Sequence, residues 1–483
     1  MKILPTVAAL LAFALSSHAQ EPNPFVKKET EKSPAPPSGD SFVSLVEHIL
    51  VPADQLDAWL EKNPLPGDAS NLRKQVQRWV GEKSARLDHT ALSTGIGGRE
   101  SLNSSVWERI YATEYEPPEP GEWPMPTAFD TRDIGYKQSG GAAIEDGAML
   151  LRGKMEYVKM LPHHPWSQLA ERTRQPDDIF IPRFRSIEVS RMRQDATGKR
   201  IPYNVFLQPK DIEKLPPGAD QLRFDPGKTY LLSREDNDSQ LAKVSPHPQT
   251  TITPEPKDPH HLVRLIFFRG NILPPVAATQ SEPLEINSTS LKLIRVEQPV
   301  FSAWIQENDL LKIPDLAWAA ATDWQKNGRS ETTVDLTNTN PTGLKCRLER
   351  IEKVSYPTEW RPGKITPATE GKPAQRNFSK PTSFDTRDCG TALAGEMLPD
   401  PKGPICKLKI SRTIDKGKTV HHRILRDGEW KPDITFPLFF SNYWNSEIRV
   451  KSGEWLLIGS GAEIDAKGNF DPEHTVLAFI KLN

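Results

Sequence analysis

One five-residue string occurs twice in this chain, 255 positions apart. Phe129-Asp130-Thr131-Arg132-Asp133 stands within PTAFDTRD, and Phe384-Asp385-Thr386-Arg387-Asp388 stands within PTSFDTRD. Other landmarks recur in the same order. Trp59 in DAWLEKN and Trp304 in SAWIQEN lie 245 apart, as do Trp79 and Trp324. Glu108-Arg109-Ile110, followed by Tyr115, matches Glu349-Arg350-Ile351, followed by Tyr356, at 241. The stretch 178–186 matches 433–441 at 255, and Gly227 in GKTYLLS matches Gly453 in GEWLLIG at 226. This period is far too long for a solenoid, so each copy is read as a whole domain. The fall from 255 to 226 places about 29 extra residues in copy one, in the polar stretch at about 190–220.

The N-terminus reads as a secretory signal. Lys2 supplies the positive end, ILPTVAALLAFALSS the apolar run, and Ser17-His18-Ala19 a small-x-small cleavage site. The expected organisation is a signal peptide at 1–19, a disordered leader rich in Pro, Lys and Glu at 20–41, copy one at 42–285 and copy two at 286–483. The apolar run is short for a membrane span, and no later stretch crosses a membrane as a helix. The expected location is the periplasm, the outer-membrane surface or the medium. A formal net charge of −1, from 62 basic and 63 acidic residues, provides no global field for nucleic acid. Cys346, Cys389 and Cys406 all lie in copy two. An oxidising compartment permits one disulfide, and Cys389 with Cys406 is the preferred pair because both flank one short loop.

Each copy opens on helical patterns. Leu72, Val76, Trp79 and Val80 form one apolar stripe in a helix capped by Asp68 or Ser70; Ala317, Ala321 and Trp324 form its counterpart behind Asp315. Tryptophans at this spacing read as core. Alternating strands follow at 149–157, 406–411 and 455–458, with closing apolar strands at 262–268 and 475–481. The fold class expected is α+β: two tandem homologous domains, each with short N-terminal helices followed by an antiparallel β-sheet.

The strand motifs resemble the C-terminal β-domain of secretins, the ring-forming outer-membrane proteins of type II and type III secretion. Thr131-Arg132-Asp133-Ile134-Gly135 and Thr386-Arg387-Asp388-Cys389-Gly390 are similar to that family's T-R-[ND]-x-G element. ITFPLFFSNYWNSEIRVKSGEWLLIGSG at 434–461 is similar to its later strands and hairpin. The resemblance implies a β-domain able to assemble at the outer membrane.

No GxSxG elbow, HExxH helix or P-loop occurs. Neither a catalytic residue, a metal site nor a cofactor site is assigned. Of three His pairs (His163-His164, His260-His261 and His421-His422) the first and third lie 258 apart and almost superpose in the repeat. Asp130, Arg132 and Asp133 with Asp385, Arg387 and Asp388 form the shared polar cluster. It is read as structural, because an arginine held by carboxylates more often fixes a sheet edge or a domain contact. The expected function is that of an exported, non-enzymatic binding or envelope-assembly protein whose partner is an envelope protein or a second copy of itself. A secreted hydrolase acting on a glycan or peptide, and an outer-membrane secretin-like oligomer, are the alternatives.

Overall fold

In the computed structural model the described residues are 39–483, apart from 64–67, 117–124, 146–147, 166–179, 190–192, 195–199, 202–220, 237–260, 275–287, 340–344, 368, 370–374, 399, 401, 403, 427–428 and 466–469. The stretches expected to be a signal peptide and most of a leader lie outside them, as does His260.

Copy one runs β1 (Ser41–Pro52), α1 (Ala53–Lys62), α2 (Ser70–Gly81), β2 (Arg86–Ile96), β3 (Glu100–Glu116), β4 (Met125–Glu145), β5 (Ala148–Pro165), β6 (Phe180–Val189), the short β7 (Arg193–Gln194) and β8 (Arg200–Ile201), β9 (Gln221–Phe224), β10 (Thr229–Asp236) and β11 (Leu262–Ile272). Copy two runs β12 (Thr289–Glu297), α3 (Gln298–Glu307), α4 (Ile313–Lys326), β13 (Ser330–Asn338), β14 (Lys345–Arg361), the short β15 (Ile365–Thr366) and β16 (Gln375–Arg376), β17 (Lys380–Leu398), β18 (Ile405–Arg426), β19 (Glu429–Arg449), β20 (Trp455–Ile464) and β21 (Phe470–Leu482).

This corrects the α+β expectation. Among the described residues the chain is mostly β, with four helices and two large antiparallel sheets. Each copy opens on a strand, not on helices, and both copies contribute to both sheets. One sheet has the order β10-β11-β1-β2-β20-β21-β12-β13; the other runs β14-β17-β18-β19-β3-β4-β5-β6, with β9 also on β5. The opening strand escapes a search for alternation because β1 is buried on both faces, and such strands read as continuous apolar runs. Val43, Leu45, Ile49 and Val51 face the helical layer. Phe42 and Val46 face the second sheet, with Met155, Phe224 and Phe268. The helix stripes are core as expected: Leu72, Val76 and Trp79 pack under α2, and Ala317, Ala321 and Trp324 under α4. Helix α4 starts at Ile313, so Asp315 lies in its first turn instead of capping it.

Ladder irregularities recur at fixed offsets. The β1/β2 shift at His48/Ile49 returns in β12/β13 at Leu293/Ile294, 245 later. The β3/β4 shifts at Ala112/Glu114/Tyr115 return in β14/β17 at Pro357/Glu359/Trp360, again at 245. The offset of 241 is therefore corrected: Tyr111, not Tyr115, is the counterpart of Tyr356, and Lys353 that of Glu108. Where copy two pairs the single strand β19 with β18, copy one pairs β5 with β6 and then with β9, on either side of 190–220.

One buried ion pair joins the copies on the helical face. Arg73 of α2 donates to Glu47 of β1 through Nε at 2.8 Å and Nη2 at 2.6 Å. Copy two closes around it: Arg73 Nη2 reaches Ser302 Oγ at 2.9 Å, and Gln306 of α3 donates to Glu47 Oε2 at 3.2 Å. Burial pushes the Glu47 carboxyl up, and the Arg73 guanidinium more than offsets this, holding it below the usual carboxylate range.

The repeated Gly of the T-R-D-x-G element has a defined task. The β4–β5 ladder ends at Gly135↔Val158, and the β17–β18 ladder ends at Gly390↔Thr413. Both glycines have positive φ, +126° and +128°. A Cβ would overlap the carbonyl oxygen of Ser105 in one copy and of Arg350 in the other. Here β4 and β17 each leave one neighbour while keeping the other. Gly390→Ala is expected to lower unfolding free energy by at least about 2 kcal/mol, because the strained backbone and the overlap add. Urea unfolding would measure it, and a change under about 0.5 kcal/mol would refute this role for the glycine.

Candidate functional site

Three of the two-stranded arms that extend beyond those glycines are β3/β4, β14/β17 and β18/β19. They pack on a common apolar core of Ile110, Met125, Tyr356, Ile434, Phe436 and Phe439. Phe129 of copy one lies against Phe436 of copy two at 4.6 Å between ring centroids, with His421 at 6.1 Å. The aromatic of one FDTRD string is thus covered by the other copy. Its counterpart, Phe384, is 60% exposed.

The shared polar residues divide by role. Asp130 and Asp385 each accept the next backbone N–H, from Thr131 and Thr386, at 2.7 Å. Each stands opposite a tyrosine in its ladder, Tyr111 and Tyr356. Tyr111 donates to Asp130 Oδ2 at 3.2 Å. The Tyr356 hydroxyl is pushed up to about 12, mainly by burial, with the Glu108 and Asp385 carboxylates adding to it. Arg387 passes over the Phe439 ring, 5.7 Å from its centroid, to pair with Glu108 of copy one. Burial raises the Glu108 carboxyl; Arg387 opposes this, and Asp133 and Asp385 add to it. Asp130, Arg132, Asp133, Asp385 and Asp388 are exposed. Arg387 therefore links the copies, and its counterpart Arg132 has no glutamate at the matching place, because Lys353 stands where copy one has Glu108.

The arms also hold a buried Ser–Asp–His group that the sequence did not announce. Ser379 Oγ donates to Asp433 Oδ2 at 2.6 Å, the Ser379 N–H donates to Oδ1 at 2.7 Å, and His422 Nδ1 lies 2.8 Å from Oδ2. Burial raises the Asp433 carboxyl, but the hydrogen bonds from His422 and Ser379 outweigh it and hold it low. The carboxylate sits between serine and imidazole. Nucleophilic catalysis needs the imidazole between serine and carboxylate. In this order the group closes polar atoms and does not activate Ser379.

A second unannounced group lies between the sheets in copy one. His48 faces His89 across the β1–β2 ladder, their ring centroids 5.9 Å apart, among Tyr136 and Tyr157. Arg264 pairs with Asp88, which also accepts from Tyr157 at 2.9 Å. Leu293 and Val334 replace the two histidines in copy two, so the repeat does not require them. Nothing in the sequence pointed to them, because strand register alone brings them together.

His164 stands opposite Ile181, and Thr419 stands opposite Phe436, each pair 255 apart. The first and third His pairs are therefore not equivalent; the counterpart of His164 is Thr419. The preferred disulfide is corrected too. All three cysteines are free and buried. Cys406 stands opposite Met397, eight residues along β17 from Cys389, roughly 26 Å at strand rise. Gly395, with no side chain, lies between Cys346 and Cys406.

Among the described residues no group of His, Cys, Asp and Glu is arranged to hold a metal ion, and no helix is long and apolar enough to cross a membrane. A cavity of about 240 Å³ at the joint is lined by Thr94, Leu273, Pro314, Arg449, Lys451 and Leu456. Its cations are already paired: Arg449 with Asp400 at 2.8 Å, and Lys451 with Asp315, itself part of the lining, at 3.1 Å. No protein-family model, curated protein or solved structure matches the chain.

Proposed function

We propose that the chain is an exported, non-enzymatic binding protein whose protein partner docks along β14 and the arm it shares with β17. The supporting observation is the contrast between equivalent surfaces. In copy one, β3 is paired by β19, Val106 is buried and Phe129 is covered. In copy two, β14 is the last strand of its sheet, and Ile351 and Phe384 are 38% and 60% exposed. A 17-residue edge strand beside exposed apolar side chains is a template for an added strand.

A photo-crosslinking side chain placed at position 384 is expected to trap a defined protein from the cell envelope; the same probe at Leu316, on helix α4, should not. Phe384→Asp is expected to weaken capture by at least about tenfold, since a central aromatic anchor contributes about 2 kcal/mol or more. Equal trapping at both positions would defeat the proposal.

A further inference from the structure

The two copies meet head to tail. At the joint β2 of copy one meets β20 of copy two in the first sheet, and β3 meets β19 in the second. Among the described residues this leaves β10 and β6 as the last strands at one end and β13 and β14 at the other. These are the copy-one counterparts of β20 and β19, and the copy-two counterparts of β2 and β3. A heterologous contact of this kind builds rings or filaments, so identical ends would add chain after chain.

The ends are not identical. The joint needs small and specific side chains. Ser460 Oγ accepts from Leu92 N at 2.8 Å and donates to Thr90 O at 2.9 Å. Asn103 Nδ2 reaches Leu92 O and Ser460 O, both at 3.1 Å. Ser105 Oγ accepts from Asn442 Nδ2 at 3.0 Å and from Ala462 N at 2.9 Å. Gly459 has no room for a side chain: its Cβ would stand 2.8 Å from Leu92 O and 2.8 Å from the Trp444 ring. Gly461 is as tight, with Ser105 Oγ and Asn442 Nδ2 each 2.9 Å from where its Cβ would lie.

The shared bulges at Leu231/Ser233 and Leu457/Gly459 fix the counterparts on the free edge. Gly459, Ser460 and Gly461 become Ser233, Arg234 and Glu235. By the 245 offset, Asn103, Ser105 and Glu108 become Leu348, Arg350 and Lys353. Each of these six residues is replaced by one that is larger, charged or without its hydrogen bond. Arg132, the counterpart of Arg387, would meet Lys353 where Arg387 meets Glu108.

We infer that the joint is built for a single use: the change of sequence from Gly-Ser-Gly at 459–461 to that at 233–235 at one end, and Leu348, Arg350 and Lys353 at the other, bar a second copy from these edges. The chain is a capped two-copy unit, and charged edge residues of this kind are how sheets avoid edge-to-edge growth. Inside the chain the joint also has the advantage of tethering, which a second chain lacks. This goes beyond the proposed binding function, and it directs that function to a partner other than another copy stacked in this way.

The test is solution mass of the full chain by light scattering without detergent, with two rewritten variants. One carries Ser233→Gly, Arg234→Ser and Glu235→Gly; the other carries Leu348→Asn, Arg350→Ser and Lys353→Glu. The unaltered chain and each variant alone are expected at the mass of one chain. Mixing the two variants is expected to double the mass and stop there, because each partner keeps one blocked end. A stable assembly of the unaltered chain, cross-linked through β10 with β13 or β6 with β14, would overturn the inference without any variant. A mixture of the two variants, both folded by circular dichroism, that stays at one-chain mass would overturn it as well.

Discussion

Arg73→Ala is expected to lower the unfolding free energy by about 3–5 kcal/mol, the loss typical when one partner of a buried ion pair is removed. The cause is the charge left behind. Glu47 is buried, and without Arg73 only the hydrogen bonds of Gln306 and Ser302 and the charge of Arg269 remain to it. Because Ser302 and Gln306 belong to α3, the loss also loosens the contact between the helical layers of the two copies. Urea denaturation with an unchanged dependence on denaturant would measure it. Arg73→Met combined with Glu47→Leu is expected to recover most of the loss, since an apolar pair of similar volume has no charge to strand. A single Arg73→Ala variant within about 1 kcal/mol of the parent would show that this pair is not what fixes α2 to β1 and α3.

Acid is expected to be the second large perturbation. His89 is pushed down to about 4, chiefly by burial, with Asp88 opposing and Arg264 adding. His421 is pushed down to about 3, again by burial, with Arg109 adding. Unfolded histidine takes its proton near 6.5. Between that value and the folded ones the unfolded chain binds more protons, so stability falls as pH falls. From pH 6.5 to 4 each imidazole is expected to contribute a loss of about 3 kcal/mol, and His421 continues to about pH 3. Asp88 acts in the usual carboxylate sense. Burial raises it, its pairing with Arg264 outweighs this and holds it at about 2, and the stability it provides is lost as pH falls from about 4 to 2. Urea unfolding at pH 7, 5 and 4 would show the slope, and His421→Phe should flatten it. A parent chain equally stable at pH 7 and 4 would contradict the buried, neutral state of both rings.

Much of the local structure was legible before any coordinates. The stripes Leu72-Val76-Trp79 and Ala317-Ala321-Trp324 have helical spacing and lie in the helical layer, because one-sided apolar spacing leaves a helix one way to dock. Strand β1 was not legible. It is covered by helices on one side and by a sheet on the other, and no alternation survives such burial. Missing it, together with β12, turned an all-but-β chain into an α+β expectation. Within the FDTRD repeat, Arg387 bridges the copies through Glu108. That bridge lies between residues 279 apart, a separation no local pattern encodes.

The sequence by itself determined that most of the chain is written twice, where copy one is longer, and which positions repeat, because side chains fix turns, spacing and burial locally. Only the tertiary structure decided that the copies share two sheets and meet at a joint of glycines, serines and two asparagines. It also placed His48 against His89 and left Phe384 uncovered while Phe129 is packed. Those outcomes depend on which strand edges find each other, and a strand's hydrogen-bonding edge carries the same N–H and C=O groups whatever its side chains are. The choice of partner is made by shape and charge across the gap, and that is a property of the folded ends, not of either segment alone.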